Sequence, residues 1–132
     1  MDYNLKVGLL GEAKDIVTEN NTARKFGSGS IDVYATPAMI GLIEHAALNA
    51  VDPLLPRGFS TVGTELNIRH IAATPIGLRV RATAKLMEID GRKLVFQVEA
   101  YDEREKIGEG MHQRYIVQVD KFMGKNAQKR DG

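Results

Sequence analysis

Thr36, Glu44 and His70 are the residues whose types and spacing best suit acid–base or nucleophilic chemistry. Thr36 and Glu44 are eight positions apart. Eight helical steps of about 100° leave the two side chains about 80° apart around the helix axis, so both can still line one cleft. His70 ends a run of alternating residues, in register with its apolar members, and can face the helix as an acid–base partner of a glutamate.

Each candidate also has a purely structural interpretation. On local sequence alone Thr36 is a helix N-cap, and a lone inward histidine such as His70 is usually a core residue. Glu44 interrupts an apolar helix, where it is either a functional carboxylate or a side chain that reaches solvent or pairs with a cation. His45 and His112 are weaker candidates, because His45 points about 100° away from Glu44 and His112 lies in a poorly alternating segment.

The helix that positions the first two candidates has well-marked ends. Pro37 suits the first helical position after a cap, and Ala38–Val51 contains no breaker except Gly41. Pro53 and Pro56 end the helix. Its residues are apolar around almost the whole circumference, which predicts a helix buried on most sides.

Alternating residues after this helix predict a meander of antiparallel strands. The first strand groups on one face Val62, Thr64, Leu66, Ile68 and His70. The next two strands place alternate residues inward over Val80–Leu86 and Leu94–Ala100, and Asp90-Gly91 predicts a tight turn between them. A fourth strand is predicted near Ile107–Val119 and an earlier one over Gly11–Thr18.

This order of elements predicts an α+β fold in which a curled antiparallel sheet wraps around one long apolar helix. We expect a single domain over residues 1–124 and a flexible polar tail over residues 125–132. A single sheet leaves strand edges and an outer face uncovered, so we expect a dimer.

Composition excludes several classes of function. With 132 residues, 18 basic and 17 acidic side chains and a net charge of +1, the chain fits one domain without a basic nucleic-acid surface. It has no cysteine, and its three histidines lack metal-ligand spacing, so we expect neither a metal nor another cofactor. No signal-peptide core or spanning segment is evident, which predicts a cytoplasmic protein without a membrane partner.

Four segments of the chain, in order, resemble the hot-dog thioesterases similar to fluoroacetyl-coenzyme A thioesterase. They are Gly29–Glu44, Gly63–His70, Ala73–Gly77 and Gly110–Arg114. Together they span nearly the whole domain, and the Thr-Pro helix start with a glutamate eight residues later is moderately specific. The resemblance implies a hot-dog fold, a dimer formed by joined sheets and an acyl pocket at the dimer interface.

The resemblance also implies roles for individual residues. Thr36, Glu44 and His70 match the catalytic threonine, glutamate and histidine of the family. Gly63 and Arg114 match further active-site positions, which implies that they bind substrate.

A pocket rimmed by Met39, Ile40 and Ile43, with the small neighbours Ala38 and Gly41, would suit a short or medium acyl group. The family member that selects a fluorinated acyl group has aromatic lid residues before the helix, whereas this chain has Ser28, Ser30 and Ile31 there. We therefore carry over no fluoroacetyl specificity. Met39 and Ile40 are expected to rim the acyl pocket.

The sequence thus predicts an enzyme that hydrolyses an acyl-CoA thioester. Glu44 attacks the carbonyl or activates a water, His70 shuttles the proton, and Thr36 orients Glu44 and the substrate. The expected partners are the acyl-CoA substrate and further copies of the chain, as a homodimer or a dimer of dimers. Candidates for contacts with the CoA phosphates are Arg69, Arg79, Arg81 and Arg114.

Two other functions stay open at this point. The first is an acyl-CoA hydratase, although the aspartate and closely following histidine that hydratases of this fold usually carry are missing at the helix start. The second is a non-catalytic module that binds an acyl thioester or a metabolite, since a fold does not fix a function.

Overall fold

The computed structural model describes residues 3–132 as one antiparallel sheet, one long helix and shorter helical segments. The strands and helices, in chain order, are β1 (Leu10–Ile16), α1 (Ala23–Phe26), α2 (Thr36–Val51), β2 (Phe59–His70), β3 (Arg79–Asp90), β4 (Lys93–Asp102), β5 (Lys106–Gln118) and α3 (Val119–Asp131). Short 3-10 helices cover Glu19–Asn21 and Asp52–Leu54. The strand order is β1-β3-β4-β5-β2, which confirms the predicted α+β arrangement. Over residues 3–132, none of the helices has the length and hydropathy needed to cross a membrane.

The core lies between α2 and the concave face of the sheet. As predicted, alternate residues of the two middle strands point inward and are at most 2% exposed: Val80, Ala82, Ala84, Leu86, Leu94, Phe96, Val98 and Ala100. They pack against the apolar side of α2. At Gly11 the helix comes so close to β1 that a Cβ atom would collide with the backbone at Ala46 and Ala50.

The start and the surface of α2 differ from the prediction. Ala35 is the N-cap, Thr36 is already helical, and no side chain caps the first turn. The Thr36 hydroxyl is therefore not used as a cap. One stripe of the helix is also uncovered in the single chain, formed by Pro37, Ile40, Gly41, Glu44, His45 and Leu48.

A β-bulge between Gly63 and Glu65 makes β2 differ from the predicted alternation. The extra residue reverses which side chains point inward. Thr61 is consequently buried before the bulge, while Ile68 and His70 are partly buried after it. The predicted single face from Val62 to His70 is wrong, because Val62 and Thr64 instead line a cavity of about 650 Å³ beside α3.

Two further boundaries differ from the sequence analysis. Asp90 pairs with Lys93, so the two turn residues are Gly91 and Arg92, one position later than predicted. Gly91 has a φ of 61°, the left-handed conformation that a two-residue hairpin turn requires. The segment 125–132 is helical through Asp131, as the end of α3, and its flexibility stays a prediction.

Candidate functional site

Thr36 and His70 meet at the N-terminal end of α2. The Thr36 Oγ1 atom is 2.8 Å from His70 Nδ1, within hydrogen-bonding distance. Both residues line a cavity of about 320 Å³ together with Ser28 and Tyr34. The bulge in β2 makes this contact possible, because it returns His70 to the inner face of the sheet.

The His70 ring is poised as a neutral acid–base group. Burial lowers the pKa of His70 below its ordinary value of 6.5, so the imidazole is uncharged at neutral pH. The hydrogen bond to Thr36 engages Nδ1 and fixes the orientation of the ring, so Nε2 is the ring nitrogen that remains for other partners. Nε2 is buried and has no hydrogen-bond partner within residues 3–132. A buried polar atom of this kind is usually satisfied by a ligand or a water, so Nε2 is available to a reacting group.

Glu44 lies against a second group of residues, further along α2. Its Oε2 atom is 3.9 Å from Arg114 Nη1, and its side chain is 37% exposed. A Cβ atom at position 63 would be 2.6 Å from Oε2 and 3.2 Å from the His112 ring, so only glycine leaves room for the carboxylate. We refer to Glu44, Gly63, His112 and Arg114 as the Glu44 cluster.

Arg114 is the buried cation of the Glu44 cluster. It is 5% exposed, and a buried charge needs hydrogen-bond partners. Nε donates to Thr61 Oγ1 over 2.8 Å and Nη2 donates to the Thr61 carbonyl over 2.9 Å. Burial lowers the pKa of Arg114, an effect that the negative charges of Asp52 and Glu44 oppose, and the guanidinium stays charged.

His112 is fully buried beside this arginine. Its Nδ1 atom is 2.8 Å from the Glu65 carbonyl oxygen, to which it can only donate. Nε2 is then the acceptor of a hydrogen bond from Arg114 Nη1, over 3.2 Å. Burial, the largest effect, and the charge of Arg114 both lower the pKa of His112, which keeps the ring neutral.

The predicted catalytic residues are thus distributed over two places in one chain. Eight helical residues correspond to about 12 Å along the axis of α2. Within residues 3–132, Glu44 forms no hydrogen bond with Thr36 or His70. The predicted orientation of Glu44 by Thr36 therefore does not occur inside a single chain.

The other predicted binding residues lie outside these two groups. Met39 is fully buried in the core, where its sulfur packs against Gly108, and Ile40 is half-buried on the uncovered stripe of α2. Their contact with substrate stays a prediction.

The arginines proposed for the CoA phosphates already have protein partners. Arg69 forms an ion pair with Glu109, and Arg79 with Glu103. The Arg81 guanidinium lies 4.6 Å from the centre of the Tyr101 ring. Their role toward phosphate also stays a prediction.

Sequence reasoning underestimated His112 and missed Thr61 and Asp52. His112 precedes Arg114 by two positions and therefore shares its strand face, a signal that was available. Thr61 gave no such signal, because the bulge hides its inward direction. In residues 3–132 no group of three or more histidine, aspartate or glutamate side chains could hold a metal ion.

Comparison with known proteins identifies the family. Residues 17–120 match the model of the fluoroacetyl-CoA-specific thioesterase family. A fluoroacetyl-CoA thioesterase from Streptantibioticus cattleyicolor is 42% identical over 98 residues, which cover 74% of this chain and 70% of that protein. A solved structure of the fluoroacetyl-CoA thioesterase FlK superposes with a TM-score of 0.88 at 35% identity, covering 95% of this chain and 97% of the other. A hot-dog-like protein from Thermanaerovibrio acidaminovorans shares the fold, with a TM-score of 0.87 at 24% identity and coverage of 100% and 98%. The chain is therefore a hot-dog-fold member of the fluoroacetyl-CoA-specific thioesterase family, a family of thioester hydrolases.

Proposed function

We propose that this protein hydrolyses the thioester bond of a short- or medium-chain acyl-CoA, and that Thr36, Glu44 and His70 carry the reaction. The observation that carries the proposal is the 2.8 Å contact between Thr36 and the neutral, half-buried His70 at a cavity of about 320 Å³. Family membership supports the same reaction, since the relative is named as a fluoroacetyl-CoA thioesterase. The location of the protein in the cytoplasm stays a prediction.

The residues can divide the chemistry as follows. The Glu44 carboxylate attacks the thioester carbonyl carbon, or removes a proton from a water that attacks it. The C–S bond breaks, and the leaving CoA thiolate takes a proton from His70. If Glu44 is the nucleophile, this step leaves a mixed anhydride of Glu44 and the acyl group, which a water that gives a proton to His70 then hydrolyses. If water is the nucleophile, its proton goes first to Glu44 and then to His70, which restores both groups. His70 transfers protons through Nε2, while Thr36 holds its ring. The net reaction converts the thioester and one water into a carboxylic acid and free CoA thiol.

We further propose that a complete centre forms between two chains. Glu44 and His70 lie on different parts of one chain, and Glu44 belongs to the uncovered stripe of α2. One of the two edge strands of the sheet, β2, carries Leu66 (42% exposed) close to the bulge. A second copy packed against this stripe and edge would bring its own Glu44 toward the Thr36–His70 pair. A two-fold symmetric dimer then has two equivalent centres.

The segment that precedes α2 bears on the choice of acyl group. Ser28 lines the cavity beside the Thr36–His70 pair, and Ile31 is 66% exposed, so no aromatic side chain from positions 28–31 closes over it. We propose an acyl group without a requirement for fluorine. The comparison of fluoroacetyl-CoA with acetyl-CoA, at equal concentration, tests this directly.

The function is tested by release of CoA thiol from a panel of thioesters. The panel contains acetyl-, fluoroacetyl-, butyryl-, hexanoyl-, phenylacetyl- and benzoyl-CoA. We expect Glu44→Gln and His70→Ala each to lower kcat by about 100-fold or more, the range of general acid–base catalysis. Glu105→Gln, in an exposed loop, is the matched control and should hydrolyse like the unmodified protein.

Two results, one from a binding measurement and one from an added enoyl-CoA substrate, would reverse the proposal. Saturable binding of acyl-CoA by the folded protein without thiol release, and without dependence on Glu44, would favour a binding module. Hydration of an enoyl-CoA without thiol release would favour a hydratase.

The dimer is tested by mixing the two inactive variants. If each centre combines Glu44 of one chain with His70 of the other, a mixed dimer has one intact centre. After exchange of chains at equal amounts, half of the dimers are mixed, so activity should recover to about one quarter of the unmodified value. No recovery after demonstrated chain exchange would place all three residues in one chain.

A further inference from the structure

Asp52 and Thr61 form a hydrogen-bonded support for Arg114 behind the Glu44 cluster. The Thr61 hydroxyl donates to Asp52 Oδ1 over 2.6 Å, which leaves its lone pairs for Arg114. Arg114 Nε donates to this hydroxyl and Nη2 donates to the Thr61 carbonyl. Two bonds from one residue fix both the position and the plane of the guanidinium.

This support determines how Arg114 meets Glu44. The guanidinium nitrogen that faces the carboxylate is Nη1, and one of its hydrogens already goes to His112 Nε2 over 3.2 Å. Its distance to Glu44 Oε2 is 3.9 Å, which is longer than a hydrogen bond of about 2.7–3.2 Å. Arg114 is thus close enough to attract the charge of Glu44 but does not bond to it.

The positive charge of buried Arg114 is compensated more by Asp52 than by Glu44. Burial lowers the pKa of Arg114, and of the two carboxylates that oppose this effect, Asp52 has the larger influence. Asp52 also accepts from Ser60 Oγ over 2.6 Å, but through Oδ2 and not through the Oδ1 atom that binds the Thr61 hydroxyl. Glu44 therefore does not have to serve as the main counter-ion.

We infer that Asp52 and Thr61 are positioning residues that hold the Arg114 guanidinium beside Glu44 but out of hydrogen-bonding reach of its carboxylate. The inference rests on the proposed function of Glu44. A carboxylate with a short charge-assisted bond to arginine has its lone pairs engaged and is a weaker base and nucleophile. A carboxylate that is near the cation without this bond keeps its lone pairs for the reaction.

Kinetics of a matched set of variants test the inference. Thr61→Val removes the hydroxyl at nearly constant volume, Thr61→Ser keeps it, and Ser60→Ala removes an equally short bond to Asp52 that does not involve Arg114. We expect Thr61→Val to lower kcat by about tenfold or more, equivalent to about 1.4 kcal/mol of activation free energy, with little change in KM. Thr61→Ser and Ser60→Ala should keep kcat within about twofold of the unmodified protein. If Thr61→Val does not fold, Asp52→Asn replaces it with the same expectation.

A measurement that does not require catalysis tests the contact between Thr61 and Arg114 independently of the proposed function. In a ¹⁵N–¹H spectrum, the Arg114 Nε–H signal, assigned by its loss in Arg114→Lys, should exchange slowly with water. It should be lost or exchange rapidly in Thr61→Val but not in Ser60→Ala.

Each result has a definite consequence. Equal kcat values for Thr61→Val and Ser60→Ala, or a Thr61→Ser variant as impaired as Thr61→Val, would overturn the inference while leaving the thioesterase proposal intact. Absence of thiol release from the unmodified protein would end the thioesterase proposal instead. The Nε–H signal would then decide alone whether Thr61 holds Arg114.

Discussion

Gly63→Ala should lower the rate of catalysis while it leaves the free energy of unfolding nearly unchanged. A Cβ atom at position 63 would be 2.6 Å from Glu44 Oε2, 3.2 Å from the His112 ring and 3.6 Å from Arg114 Nη1. The closest of these atoms is the end of a flexible side chain, so Glu44 can rotate away while the backbone stays in place. The variant therefore moves the carboxylate without breaking the sheet.

The size of the effect follows from these distances. An ordinary van der Waals separation is about 3.5 Å, so Oε2 must retreat by about 1 Å. A displacement of about 1 Å at a reacting group can cost about 100-fold in rate, or about 2.7 kcal/mol of activation free energy. Replacing glycine by alanine in a strand stabilises the fold by roughly 0.5–1 kcal/mol, which offsets the cost of moving Glu44. The net change in unfolding free energy should stay within about 1 kcal/mol.

The assay compares thiol release and urea unfolding of Gly63→Ala and Gly124→Ala. Gly124 lies in α3, where an added Cβ atom meets nothing within 4 Å. The control should therefore keep full activity and gain up to about 1 kcal/mol of stability. We expect Gly63→Ala to unfold near the same urea concentration as the unmodified protein and to lose about 100-fold in kcat.

Two results would refute this reasoning. If Gly63→Ala is as active as Gly124→Ala, the position of the Glu44 carboxylate does not limit the reaction. If Gly63→Ala is inactive because it is unfolded, the collision is relieved by the backbone rather than by the Glu44 side chain.

Three other predictions address the Thr36–His70 pair, the packing of α2 and the buried histidines. Thr36→Val should lower kcat by about tenfold or more in the thiol-release assay, whereas Thr36→Ser should not, because the hydroxyl that holds the His70 ring is kept; equal rates would assign Thr36 a structural role. Gly11→Ala should lose about 1–3 kcal/mol of unfolding free energy in urea, since the added Cβ meets backbone atoms of α2 that cannot rotate away; an unchanged midpoint would contradict the close approach of α2 to β1. Burial lowers the pKa of His70 and His112 below 6.5, so the unfolded state binds more protons than the folded state as the pH falls. The free energy of unfolding should therefore be highest above about pH 6.5 and should decline as the pH falls further. The melting temperature should be lower at about pH 5 than at about pH 8, and an equal melting temperature at both would contradict this prediction.

Much of the fold was predictable because its signals are local. The helix over residues 36–51 follows from its apolar sequence and from the prolines beyond its end. The inward residues of β3 and β4, from Val80 to Ala100, follow from a period of two along the chain. In each case the periodicity of one element is enough to identify its buried face.

The prediction was wrong where a single residue changes that periodicity. The bulge at Gly63/Glu65 places one extra residue in β2 and turns Thr61, rather than Val62, toward the core. The predicted inward direction of His70 is nevertheless found, because His70 and Ile68 lie beyond the bulge. The residues before the bulge, including the one that supports Arg114, could not be assigned to a face.

The sequence by itself determined which residues are proposed to carry the chemistry, namely a threonine, a glutamate and a histidine on a helix and a strand. Only the tertiary structure decided how they are grouped. β2 pairs with β5, which lies about fifty positions later in the chain. This pairing places Arg114 opposite Gly63 and therefore beside Glu44. The length of α2 places the Thr36–His70 pair about 12 Å away from it. These distances depend on register between elements that are far apart in the chain, and no periodicity within one element encodes that register.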